Sequence, residues 1–226
     1  MKKFGLWAII IAALGILMAV NSFMGTSPDG DHRDHDHEEE AAEETAAPAK
    51  MPEALPAQSD KASMELGRVA EINTTKGKIV IVFFEKDCPA TCDQIISLFK
   101  DNKYRDVKFG RVEKDNLIQI DAVEPDAPKL KLEVKEGLDN VKGAVGMARI
   151  PDDKDSATSA FYILMEPWRH LDGDYCVFAR VLEGMDVIMK ITPEDKVTGS
   201  TIRDRTDKDK QRFDELRTME AEREVE

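Results

Sequence analysis

Apolar residues in the middle of the chain recur in short runs broken by turn residues. GRVAEINTT (67–75) and KIVIVFF (78–84) are rich in β-branched and aromatic residues, and Lys76-Gly77 between them is a hairpin signal. Comparable runs at 107–113, 117–121, 143–149, 160–165, 175–182 and 200–205 predict six more strands. At two places the apolar period lengthens to that of a helix. Pro89 marks a helix start, and Ile95, Ile96, Leu98 and Phe99 carry a stripe to about Asn102. MDVIMKI (185–191) predicts the second helix. Eight strands with short connections and two helices predict a mainly β fold, a closed eight-stranded antiparallel β-barrel capped by two α-helices. Closure would leave no unpaired strand edge.

The pattern differs at both ends. Lys2 and Lys3 precede an uncharged stretch from Phe4 to Met24, which as a helix would span about 30 Å, close to the hydrocarbon thickness of a bilayer. Residues 1–24 therefore read as a transmembrane signal anchor, with the lysines left in the cytoplasm and the rest of the chain outside. A cleavable signal peptide is the alternative, but its apolar core is usually shorter and the small-residue candidate Val20-Asn21-Ser22 is poor. Residues 25–66, dominated by Pro, Ala, Glu and Ser, read as a disordered acidic linker. From Asp207 the chain is dense in charge, so 206–226 reads as a charged C-terminal helix or tail. The barrel is left with residues 67–205.

Charge confirms these boundaries and excludes one class of partner. The linker carries 12 acidic and 3 basic residues, while 67–205 carries 25 and 22, so much of the net −13 belongs to the linker. No segment offers the basic footprint that nucleic acid requires. His32, His35 and His37 in the linker could meet a divalent metal, but nothing folded fixes their geometry. We read the stretch as a solvated tether and assign no metal. Cys88 and Cys92 share one face at a helix start without forming a C-x-x-C, and Cys176 stands apart in sequence. Their expected role is as small buried residues. No P-loop, G-x-S-x-G or other nucleophile motif occurs, and no cofactor is implied.

Taken in order, TTKGKIVIVFFEKDCPAT, FGRV followed by a later Gln, GAVGMARIPDDKDSATSAFYI and HLDGDYCVFARVLEGMDVIMKI resemble the cyclophilins, a barrel family of peptidyl-prolyl cis-trans isomerases. The likeness runs over almost all of 67–205. It implies that Arg111 is the catalytic arginine and Gln119 its companion. It also implies that Leu117, Asn116, Ala160, Tyr162, His170, Leu171 and Tyr175 line the substrate pocket, with Phe161 turned into the core. Several positions depart from the family pattern. Gly110 replaces a histidine, Asn116 a phenylalanine of the proline pocket, Ile120-Asp121 a pair of glycines, and Ala160 a second glutamine.

The activity that the resemblance implies needs little machinery. Rotation about an X-Pro bond breaks amide resonance against a barrier of about 20 kcal/mol. In the twisted state the proline nitrogen regains a lone pair, which a fixed guanidinium can meet with a hydrogen bond. The expectation is a membrane-tethered isomerase, its domain monomeric and outside the cytoplasm, acting on proline-containing exported polypeptides. The alternative is a non-catalytic module that binds proline-containing segments or a partner protein. Spacing alone permits a bland role for Arg111 as well, as a rim arginine paired with Glu113 or Asp115.

Overall fold

The structure, a computed structural model, describes residues 64–124 and 126–223. The expected anchor and nearly all of the expected linker lie outside the described residues. Among those described, no helix is long and apolar enough to cross a membrane.

Strands β1 (Val69–Thr74) and β2 (Gly77–Phe83) form the expected hairpin, paired from Val69↔Val82 to Thr74↔Gly77. Gly77 takes φ +140°, a conformation that an L side chain resists, and the Thr74 hydroxyl donates to its carbonyl at 2.8 Å. Helix α1 (Pro89–Lys100) follows, with proline in its first turn. Its N-cap, Cys88, makes no side-chain cap. The distant carboxylate of Glu133 does that work instead, accepting from Ala90 N at 3.1 Å and Thr91 N at 2.8 Å. Strands β3 (Phe109–Glu113), β4 (Leu117–Ile120), β5 (Ala144–Met147) and β6 (Phe161–Leu164) come next. After them lie a 3₁₀ turn (Arg169–Leu171), β7 (Val177–Glu183), the short α2 (Met185–Ile188), β8 (Val197–Arg203) and α3 (Asp207–Arg223).

The eight strands make one antiparallel sheet in the order β3-β4-β6-β5-β7-β2-β1-β8. The expected full closure is corrected to a half-barrel. Edge strands β3 and β8 do not pair along their length, and the two edges meet at a single bridge, Lys108↔Lys196, just outside both strands. Asp106 N→Val197 O (2.8 Å) and Val197 N→Val107 O (3.0 Å) flank that bridge. Inside the curved sheet, Phe83 stacks on Phe178, and Phe99, Tyr104 and Phe161 meet edge-on or tilted at 4.7–6.0 Å. The Tyr104 hydroxyl, fully buried, donates to Ser159 O at 2.6 Å, so no polar group is stranded by the packing.

The charged C-terminal segment is a third α-helix and it docks. Thr206 and Asp209 form a reciprocal cap: Thr206 N donates to the Asp209 carboxylate at 2.8 Å, and Asp209 N to the Thr206 hydroxyl at 3.3 Å. Arg203 at the end of β8 grips both oxygens of Asp209, at 2.7 and 2.9 Å, and also Glu71 of β1 at 3.0 Å. One turn later Phe213 is buried edge-on against Phe84. At the other boundary, Met64 and Leu66 pack on the core and Glu65 pairs with Lys86, so these last linker residues belong to the fold.

Candidate active site

Strand pairing lines up three of the expected residues. Arg111 on β3 faces Gln119 on β4, Gln119 faces Tyr162 on β6, and Tyr162 faces Gly146 on β5. Directly paired residues project from the same face of a sheet. Their neighbours Ile118, Ile120, Phe161 and Ile163 are buried in the core and Val112 packs against it, so the row lies on the opposite, outer face. Leu117, two residues from Gln119, shares that face and is buried too.

The row begins at an irregularity. The register shifts between Phe109 and Arg111, with Gly110 in the shift, and such shifts re-aim side chains beside functional sites. A Cβ on Gly110 would lie 1.9 Å from the Asp121 carboxylate. Two of the departures from the family pattern are therefore one: the aspartate after Ile120 occupies the space that a side chain at 110 would need. Gln119 Nε2 faces the same carboxylate at a long 3.5 Å.

Arg111 stands nearly half exposed at the end of the row. Its Nε donates to Glu113 Oε1 at 2.8 Å and its Nη2 to the same oxygen, the local pairing that spacing had allowed. On its other side the guanidinium lies 5.9 Å from the centre of the Trp168 ring, which in turn meets His170 at 5.3 Å.

Tyr162 forms the floor. Its ring lies across Gly146, where a Cβ would come within 2.3 Å of the phenol oxygen, so the tyrosine needs glycine on the neighbouring strand. The hydroxyl donates to Asn140 Oδ1 at 2.6 Å, and burial pushes the phenol well above its ordinary pKa. Asn140, fully buried, is a hub. Its backbone N and its Nδ2 donate to Asp172 Oδ1 at 2.6 and 3.0 Å, and its carbonyl accepts from Trp168 N at 2.8 Å. Those bonds hold the 168–172 loop against the floor. Tyr175 meets Tyr162 at 6.2 Å and is covered by the Arg149 guanidinium at 4.2 Å. Arg149 is itself fixed by the carbonyls of Asp174 (3.0 Å), Ile150 (2.9 Å) and Pro151 (2.5 Å).

The other expected residues lie around this patch. His170 is exposed on the 3₁₀ turn and Leu171 is half-buried beside it. Ala160 is half-buried just before β6, its carbonyl accepting from Ala148 N at 3.0 Å. Asn116 is exposed in the β3–β4 turn after Asp115, which takes φ +63°, and its carbonyl accepts from Met165 N at 2.6 Å. Sequence reasoning missed Trp168, Asn140, Arg149 and Gly146. Gly146 and Arg149 sat inside the GAVGMARI run that carries the resemblance, and Trp168 was an isolated aromatic two residues before His170.

Residues 69–213 match the model of the cyclophilin type peptidyl-prolyl cis-trans isomerase family. The chain is 34% identical over 134 residues to a peptidyl-prolyl cis-trans isomerase of Acinetobacter baylyi, covering 54% of this chain and 71% of that one. It is 32% identical over 133 residues to peptidyl-prolyl cis-trans isomerase B of Escherichia coli, covering 53% and 80%. Among solved structures, a cyclophilin type isomerase of Cryptosporidium parvum superposes with a TM-score of 0.56 at 17% identity, covering 62% of this chain and 99% of that one. The same protein has also been solved in the presence of the dipeptide Ala-Pro.

Proposed function

Because the chain belongs to the cyclophilin-type peptidyl-prolyl cis-trans isomerase family, we propose that its isomerase site is the Arg111–Gln119–Tyr162 row and that its substrates are X-Pro bonds of exported polypeptides. The row carries the reading, since it puts a guanidinium, an amide and an aromatic floor on one outer face of a rigid sheet. Arg111 supplies the transition-state contact: its remaining N–H groups meet the proline nitrogen as the amide twists and that lone pair becomes basic. Gln119 orients the substrate backbone, while Leu117, Tyr162, His170, Leu171 and Tyr175 wall the proline ring, with Trp168 added by the geometry. The presence of Ala-Pro with the Cryptosporidium protein supports a proline-containing ligand.

Asn116 and Ala160 mark where the wall is thin, and lowered affinity follows from them. The same two positions, together with the Glu113 carboxylate on Arg111, favour the second reading, a module that binds proline segments with little turnover. A prolyl isomerisation assay on the chain and its Arg111→Ala variant separates the two. Activity that depends on Arg111 supports the enzyme, and equal inactivity of both supports the module. The uncharged 4–24 stretch behind Lys2 and Lys3 supports a membrane tether holding the domain outside the cytoplasm. Resistance of the full chain to carbonate extraction tests that tether, and a mature chain beginning near Phe23 would refute it.

A further inference from the structure

The chain's three cysteines converge, although sequence separates Cys176 widely from the other two. Cys88 is the N-cap of α1, and Cys92 lies one turn on along the same face. Cys176 immediately precedes β7. Cys88 Sγ lies 3.5 Å from the carbonyl of Val177, Cys92 Sγ lies 3.5 Å from that of Phe178, and Cys176 Sγ lies 3.6 Å from the hydroxyl of Thr91. The first turn of α1 thus lays its thiols on residues 176–178, and Cys176 reaches back between them. Both backbones are pinned there: Phe84 N donates to Phe178 O at 2.9 Å, and Cys88 N to Phe84 O at 2.9 Å. Cys88 and Cys92 are fully buried and Cys176 almost so.

We propose that Cys88 and Cys176 form a structural disulfide when the chain folds in an oxidising environment, tying the N-cap of α1 to the start of β7, and that Cys92 remains a thiol. The pairing follows from position. Cys88 touches the carbonyl of the residue that follows Cys176, whereas Cys92 touches the next carbonyl along, and residues 88 and 92 are held an α-helical turn apart. The Cys176 side chain and burial push the Cys88 thiol far above its ordinary value.

The chemistry balances through thiol–disulfide exchange. A small-molecule or oxidoreductase disulfide accepts one thiolate to give a mixed disulfide. The second cysteine then displaces it, and the exchanging disulfide leaves as two thiols carrying the two electrons and two protons. Buried thiols exchange poorly in the finished fold, so the bond forms before α1 closes on β7 and is afterwards shielded from reductant. The loop it closes contains α1 and β3 to β6, long enough for substantial stabilisation.

The full chain refolded in detergent with oxidised and reduced glutathione, then alkylated under denaturing conditions and mapped without reduction, provides the test. The expected result is a peptide pair joining Cys88 to Cys176, with Cys92 alkylated, and a melting temperature about 5–15 °C above that of the reduced chain. Cys92→Ala should keep the link and Cys176→Ala should abolish it. Mapping of the wild-type chain secreted into a bacterial periplasm repeats the test without refolding. Three free thiols in the folded monomer, or a link that includes Cys92, would overturn the proposal.

Discussion

Two arginines on the two edge strands show how differently one residue type is used. Arg203, on β8, is held by Glu71 from a neighbouring strand and by both oxygens of Asp209 from α3. Arg111, on β3, is held by Glu113 two residues along its own strand, and its open side looks across the sheet toward Trp168. The side chain of Arg203 is 32% exposed and that of Arg111 48%. One remote partner, Glu71 on β1, and one on the helix that follows commit Arg203 to joining three elements of the fold. A single ion-pair partner on its own strand orients Arg111 and leaves its outward edge open.

The comparison predicts a double dissociation, and this is the largest effect. Arg111→Ala should lower kcat/KM by about 10²–10³-fold, as for loss of one transition-state donor, while the melting temperature stays within about 2 °C. Arg203→Ala should do the reverse. It strips a nearly buried carboxylate of its partner, costing about 1–3 kcal/mol or roughly 3–10 °C, and should leave kcat/KM close to wild type. Assay and melting curve on the same two preparations check both arms.

Acid sharpens the structural side. Hydrogen bonds from Arg203 hold the carboxyls of Asp209 and Glu71 below their usual range, and the Thr75 hydroxyl, then Thr192, hold Asp195 down to about 2. A carboxyl whose pKa is depressed by folding stabilises above its unfolded value, near 4, and that contribution is lost as pH falls through the folded value. Stability should therefore decline from about pH 5 toward pH 2. The gap between wild type and Arg203→Ala should be widest near neutrality and narrow across the same interval, as thermal melts at several pH values would show.

The two smaller effects concern the site. Asn116→Phe with Ala160→Gln should raise kcat/KM by about 3–10-fold, less than the 1.5–3 kcal/mol of a fully buried phenylalanine because the turn is open. The gain should lie mainly in KM, the signature of uniform binding. Glu113→Gln should raise kcat by up to about fivefold. It lifts a carboxylate that offsets the Arg111 charge, and an exposed pair of this kind is worth at most about 1 kcal/mol.

How far the sequence could be read follows from the range of each interaction. The strands and α1 were legible because alternation and helical period are local, and β-branched runs such as KIVIVFF admit few readings. The family likeness singled out Arg111 and Gln119, and the strand register pairs them. The docking of α3 was not, because Phe213 and Leu216 are sparse among charges. The spacing of Thr206 and Asp209, a capping box, was the available sign. The half-open barrel turns on pairing between strands far apart in the chain, which periodicity does not encode. Gly110 and Asp121 look like isolated substitutions, and Gly146 and Tyr162 like unrelated positions, until the strands are laid side by side. Asn140 carried no sequence signal, since its role exists only where the Tyr162 hydroxyl and Asp172 converge on it.

The central claim is that Arg111 binds the twisted X-Pro bond more tightly than the planar one. The most direct measurement is the cis–trans interconversion rate of an X-Pro peptide while bound, by NMR exchange spectroscopy, beside its Kd, for wild type and Arg111→Ala. Arg111→Ala should slow bound-state interconversion about 10²–10³-fold with Kd changed less than about threefold. An unchanged bound-state rate, or a loss carried entirely by Kd, would contradict it.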